Sequence, residues 1–160
     1  MDFEKHISNY VQSAEGLKCQ KLFLYVLRKD GVLVGTKSVE YDEFNFDDQS
    51  VGALSGGVWQ AAQALGELIS SNPTNEEVYR FSFDTSSNGV YLLPLNELYI
   101  LGCLFSESVN PGYLKNELRK LKSFLVSQIT ETDEIRKDED RLFENITDEE
   151  MDNLFSFAGN

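Results

Sequence analysis

Apolar residues open the chain at helical spacing. Phe3, Ile7, Tyr10, Val11 and Ala14 fall on one stripe and Gly16 supplies a stop, so the pattern predicts an amphipathic helix over residues 2–15. The period then changes. Leu22 to Leu27 is an unbroken apolar run of strand formers, Asp30-Gly31 is a hairpin turn signal, and Val32-Leu33-Val34 begins a return strand. Residues 39–47 mix polar and apolar positions and read as a loop or a short edge strand. Asp47 or Asp48 can cap the next helix. Its apolar positions Val51, Leu54, Val58, Ala61, Leu65 and Leu68 run at i, i+3 and i+7 spacing and stop before Pro73.

That second helix is rich in small residues: Gly52, Ala53, Ser55, Gly56, Gly57, Ala61 and Ala62. A glycine costs about 1 kcal/mol relative to alanine at a helical site, so three in one helix need a packing reason. Three strands are predicted next. Val78 to Phe83 alternates, Asn88-Gly89 marks a second hairpin turn before Val90 to Leu93, and Glu97 to Phe105 reads as a buried central strand. Asn110-Pro111-Gly112 then offers an N-cap with proline in the first helical position. Tyr113, Leu114, Leu118, Leu121, Phe124, Leu125 and Ile129 form the stripe of a third helix. The predicted order is α-β-β-α-β-β-β-α, an α+β fold without internal repeats.

Charge changes the picture at the C-terminal end. Residues 131–160 hold eleven acidic and three basic side chains, a net of −8 out of a total of −13. Phosphate binding needs clustered Lys and Arg, so nucleic acid is not expected as a partner, and a basic protein surface suits this tail better. The N-terminus has no basic region followed by an apolar run, so no signal peptide is expected. Val90 to Phe105, the most apolar stretch, is interrupted by Pro94, Asn96 and Glu97 and is too short to cross a bilayer. A cytoplasmic protein without membrane insertion is the expectation. Cys19 and Cys103 sit in no metal-type spacing and imply no disulfide framework.

No catalytic set assembles from these residues. His6 is the only histidine and lies in the first helix without a supporting motif. Ser55 in Gly52-Ala53-Leu54-Ser55-Gly56-Gly57 lacks the G-x-S-x-G form and a preceding strand, so packing is the expected role. No G-x-x-x-x-G-K-[ST] loop is present for nucleotide phosphates. Asp42, Glu43, Asp47 and Asp48 do not match a calcium-loop spacing and read as a solvated acidic loop. The chain is therefore expected to be no enzyme and to use no cofactor or metal.

The hairpin Asp30-Gly31, the small-residue helix from Ser50 to Ile69, and the return through Gly89-Val90-Tyr91-Leu92-Leu93-Pro94-Leu95 into Leu98-Tyr99-Ile100-Leu101-Gly102 resemble the roadblock (dynein light chain) family. The resemblance runs over about residues 3–129, and longin and profilin-like folds share much of the layout. It implies a five-stranded antiparallel sheet with the long helix on one face. It also implies a homodimer formed through that helix and the neighbouring edge strand. Family members include bacterial regulators of Ras-like polarity GTPases, which bind the GTPase as a dimer without a nucleotide site of their own. The candidate dimer or GTPase interface residues are Gly52, Ser55, Gly56 and Trp59 on the helix, with Tyr79 and Phe81 on the expected edge strand, where they could pair across a dimer. Gly52, Gly56 and Gly57 fit a close helix–helix approach and equally an approach to the domain's own sheet. Trp59 likewise suits an interface or the core.

The tail ends in Ile146-Thr147-Asp148-Glu149-Glu150-Met151-Asp152-Asn153-Leu154-Phe155. Thr147 and Glu150 form a capping box, Ile146 and Met151 a hydrophobic staple, and Asp148 to Glu150 place negative charge in the first turn. Met151, Leu154 and Phe155 make one apolar face. Ile146, Thr147, Glu150, Met151, Asp152, Leu154 and Phe155 resemble the receiver-binding helices of flagellar switch and chemotaxis phosphatase proteins, with Asp148 standing where those peptides carry Gln. The expected organisation is a roadblock-like domain over 1–130, an acidic spacer or helix over 131–145, and a partner-binding helix over 146–158.

These readings together predict a non-enzymatic regulatory scaffold. Its domain would dimerise and bind a Ras-like small GTPase, and its tail would bind a response-regulator receiver. The alternative is an acidic, dimeric secretion chaperone that holds an extended effector segment.

Overall fold

The computed structural model describes residues 1–13, 16–17, 21–39, 46–72, 77–144 and 156 of the 160-residue chain. By contacts the chain divides into two units, one of residues 2–126 and one of residues 127–160 with Met1.

The first unit begins with helix α1 (Phe3–Gln12), started by Asp2, whose carboxylate accepts the Lys5 N–H at 3.0 Å. Strands β1 (Leu22–Arg28) and β2 (Leu33–Val39) follow, then helix α2 (Asp48–Ile69), strands β3 (Phe81–Asp84), β4 (Asn88–Pro94) and β5 (Tyr99–Ser106), and helix α3 (Pro111–Glu144). The order is the expected one. Every neighbouring pair of strands is antiparallel, and the sheet order is β2-β1-β5-β4-β3. A one-residue bulge opposite Val26 and Leu27 pulls the start of β2 out of register beside the turn.

Alternation divides the sheet into two buried faces. Phe23, Tyr25, Leu27, Leu92 and Ile100 form one core with Trp59 of α2. Leu22, Leu24, Val26, Tyr91, Leu101 and Cys103 point the other way and are also buried. There α1 contributes Phe3, whose ring meets Tyr99 edge-on with centroids 4.9 Å apart. The early turns of α3 contribute Leu114, Leu118, Leu121 and Leu125. Each such leucine contributes about 1.5–3 kcal/mol by leaving water.

The details refine the pattern reading. The second hairpin turn lies at Thr85–Ser87, where the Thr85 hydroxyl accepts the Asn88 N–H at 3.0 Å. Asn88-Gly89 already belongs to β4, because side-chain capping by Thr85 closes the turn one step earlier than the Asn-Gly pair would. Strand β3 starts at Phe81, since Val78 gives its N–H to Gln63 of α2 at 3.0 Å and takes no part in the ladder. Helix α3 begins at its expected cap, Asn110 Oδ1 accepting from Gly112 and Tyr113, and continues past Ile129 to Glu144.

In the second unit, residues 127–144 continue as helix, with the Thr132 hydroxyl donating to the Gln128 carbonyl at 2.8 Å and Ile135 exposed. The expected tail helix, with Ile146, Thr147, Glu150, Met151, Asp152, Leu154 and Phe155, lies outside the described residues. No helix of the described residues is long and apolar enough to cross a membrane.

Candidate interaction surface

Helix α2 is capped by Asp47, whose carboxylate accepts from Gln49 N, Ser50 N and the Ser50 hydroxyl. The Ser50 hydroxyl, and after it the two backbone N–H groups, hold the Asp47 carboxyl below the usual carboxylate range. Asp47 is thus a helix cap. Asp42 and Glu43 lie outside the described residues.

The inner face of α2 carries the small residues. Gly31 sits in the β1–β2 turn with φ +91°, and its backbone passes directly beneath the helix. A Cβ on Gly56 would stand 2.7 Å from Gly31 Cα, and one on Gly52 would stand 2.6 Å from the Gly31 carbonyl oxygen. Asp30 braces the turn by accepting from Val32 N at 3.2 Å and pairing with the Arg28 guanidinium. Gln60 Nε2 donates to the Lys29 carbonyl at 3.1 Å. One turn further in, the Ser55 hydroxyl and the Tyr25 hydroxyl share a buried hydrogen bond of 2.9 Å. Burial pushes the Tyr25 hydroxyl far above its ordinary value, against the lowering effect of Ser55, so it stays neutral.

Gly52, Ser55, Gly56 and Trp59, the helix residues expected at an interface, are therefore buried inside the protomer. Of the two approaches the glycines fitted, Gly52 and Gly56 make the one to the domain's own hairpin, and Gly57 does not. Trp59 is 3% exposed and belongs to the core under α2. It also lines a cleft of about 550 Å³ with Lys29, Gln63, Val78, Tyr79 and Lys122.

The outer face of α2 carries most of the apolar stripe that marked the helix in the sequence. Leu54 is 71% exposed, Leu65 57% and Leu68 80%. Val58, Ala61 and Ile69 are exposed on the same side. Leu54, Val58, Ala61, Leu65 and Leu68 are spaced 4-3-4-3, which draws one apolar seam along the helix. Beside this seam a Cβ on Gly57 would meet open space, with nothing beyond the adjoining helix backbone within 4 Å. The spacing was visible in the sequence. The side it would face was not, because the small residues mark a second face equally able to meet the sheet.

Strand β3 is an open edge of the sheet. Phe81 is half-buried against the core that holds Trp59, so it lies on the α2 side, and Phe83 two residues on shares that side and is exposed. Tyr79, just before the strand, is exposed with the Lys122 ammonium 5.9 Å from its ring centre. Two of the six expected interface residues, Tyr79 and Phe81, thus stand at this edge. His6 lies on α1 with its ring 6.5 Å from that of Phe124, and the Cys103 side chain is buried in the sheet. Among the described residues no group of His, Cys, Asp and Glu is arranged to hold a metal ion.

No protein-family model matches the sequence. No curated protein matches it in sequence. Solved structures do match the fold. MglB of Myxococcus xanthus superimposes with a TM-score of 0.64 at 16% identity, over 81% of this chain and 89% of that one. The gliding protein MglB of Thermus thermophilus gives 0.63 at 15% identity, over 77% and 84%. A roadblock/LC7 domain from Streptomyces avermitilis gives 0.64 at 14% identity, over 81% and 99%. At these identities the likeness is one of architecture: this chain has the fold of the roadblock/LC7 domain.

Proposed function

We propose that this chain is a non-enzymatic, cytoplasmic regulator that self-associates through the outer face of α2 and the β3 edge and, in that form, binds a Ras-like small GTPase. The observation that carries the reading is the aliphatic seam Leu54, Val58, Ala61, Leu65 and Leu68, left in water beside an open strand edge. A contiguous apolar surface and an unpaired edge are both costly to leave uncovered, and a second copy covers both with the same elements. Tyr79 and Phe81 flank that surface, while Gly52, Ser55, Gly56 and Trp59 support it from beneath. The GTPase half of the proposal draws on the roadblock resemblance and on MglB among the structural relatives.

Residues 1–130 form the GTPase-binding module, 131–145 a link, and 146–158 a helix that docks a response-regulator receiver through Ile146, Thr147, Glu150, Met151, Asp152, Leu154 and Phe155. Support for the last element is its capping box and apolar face, since a short helix is marginal without a surface to cover it. Light scattering tests the dimer. Binding to a Ras-like GTPase loaded with a GTP analogue, compared with GDP, tests the partner. A monomer at high concentration, or binding to an unfolded segment regardless of nucleotide, would sink the reading. A chain ending at Thr130 should keep the GTPase and lose the receiver.

A further inference from the structure

Charge is distributed unevenly along α3. Acidic residues outnumber basic ones 27 to 14 over the chain, yet residues 111–126 carry Lys115, Arg119, Lys120 and Lys122 against Glu117 alone. Glu117 is buried and taken by Lys120, whose Nζ donates to it at 2.8 Å. The remaining cations stand at i, i+4 and i+7, on one face of the helix. Arg119 is exposed, and Lys115 and Lys122 are half-buried. Among the described residues none of the three has a carboxylate partner. Aromatic rings hold two of them instead: the Lys115 ammonium is 5.5 Å from the centre of the Tyr91 ring, and that of Lys122 is 5.9 Å from Tyr79. A ring face fixes an ammonium group while leaving its charge uncompensated.

This arrangement works against the helix. Like charges three and four residues apart repel, and the positive end of the helix dipole lies nearby. The first turn of α3 contains no acid to offset either effect. Such a face is suited to an anion from outside. We propose that Lys115, Arg119 and Lys122 form a docking ridge for an acidic segment of a partner protein.

The ridge rises roughly 10 Å along the helix, which matches two turns of a helix or a few extended residues. Screening at physiological salt acts over about 8 Å, so a narrow acidic segment feels the ridge and, near Lys122, the Glu77 and Glu97 carboxylates that line the same cleft, but little of the remaining negative charge. A broad polyanion, such as an anionic bilayer, would also bring its charge against the rest of a chain carrying −13. The ridge meets the self-association surface only at Tyr79, beside Lys122, and the proposal does not depend on the GTPase reading.

The probe is a labelled alanine-rich helical peptide with glutamates at i, i+4 and i+7, titrated with the full chain and followed by fluorescence anisotropy. Binding should weaken steeply as salt is raised from about 0.05 M to 0.5 M. It should fall ~10-fold or more in Lys115→Glu/Arg119→Glu/Lys122→Glu, whose circular dichroism should match the native chain. The milder Lys115→Gln/Arg119→Gln/Lys122→Gln chain guards against misfolding of the charge-reversed one. Reversal of Lys5 and Lys37, away from the ridge, should leave binding unchanged. No measurable binding, equal binding by the ridge variants, or equal loss on reversing Lys5 and Lys37 overturns the proposal. So does ridge-dependent binding of phosphatidylserine vesicles without binding of the peptide.

Discussion

The two faces of α2 invert the usual arrangement of a surface helix. Its inward face is built from Gly52, Ser55, Gly56 and Trp59, and its outward face from Leu54, Val58, Leu65 and Leu68. A helix that needed only its own sheet would bury the leucines and expose the small residues. Here close approach to the Gly31 turn leaves no room for side chains at positions 52 and 56, and the leucines stand on the outside. The inner face packs on the chain's own hairpin, and the outer face is left exposed. Single substitutions on the two faces should therefore give separable outcomes.

The largest effect is expected on the outer face. Leu65→Glu with Leu68→Glu should weaken self-association by ~100-fold or more, because each charge would have to be buried unpaired, and leave the melting temperature of the dilute chain nearly unchanged. Sedimentation across a concentration series checks this. A folded chain that still dimerises would break the comparison.

Next comes the inner face. Gly56→Val places a side chain against the Gly31 backbone, which cannot move aside like a flexible side chain, and should cost about 3 kcal/mol in urea unfolding. Ser55→Ala leaves the Tyr25 hydroxyl buried without its partner and should cost about 1–3 kcal/mol. Adding Tyr25→Phe should recover part of that loss, since both polar groups are then gone.

Gly57→Ala sharpens the contrast from one residue away. With open space around its Cβ, it should stabilise the isolated protomer by up to about 1 kcal/mol. A simultaneous fall in dimer affinity would place Gly57 at the contact. The smallest effect belongs to Asp47→Ala. Its carboxyl is held below the unfolded value of about 3.9, so its contribution is present at neutral pH and disappears as pH falls through the folded value. The melting temperatures of the native and Asp47→Ala chains should converge in acid.

Much of the fold could be read from periodicity and punctuation. Asp47 and Asn110 start α2 and α3 as their side chains suggest, and Asp30-Gly31 turns the first hairpin, whereas α1, expected over residues 2–15, runs from Phe3 to Gln12. The Thr85 turn was hidden because a hydroxyl cap competes with an Asn-Gly pair, and sequence alone does not decide which closes first. The orientation of α2 was hidden for a deeper reason. Periodicity gives the angle of an apolar stripe but not whether it faces a sheet or another molecule. The approach of the Gly52 and Gly56 positions to Gly31, at 2.6 and 2.7 Å, settles that the small face turns inward. The ridge on α3 was legible as charge, but its want of carboxylate partners depends on where Glu117 and the tyrosine rings lie.

The chain contains a single tryptophan, and it sits where α2 meets the sheet. Its indole emission is therefore a built-in optical gauge of that one junction. Because Trp59 is enclosed from the inner side, contact made on the outer seam should leave its colour unchanged, whereas lifting α2 off the Gly31 turn should shift it to the red. Intrinsic fluorescence can thus tell assembly from loosening in a label-free sample.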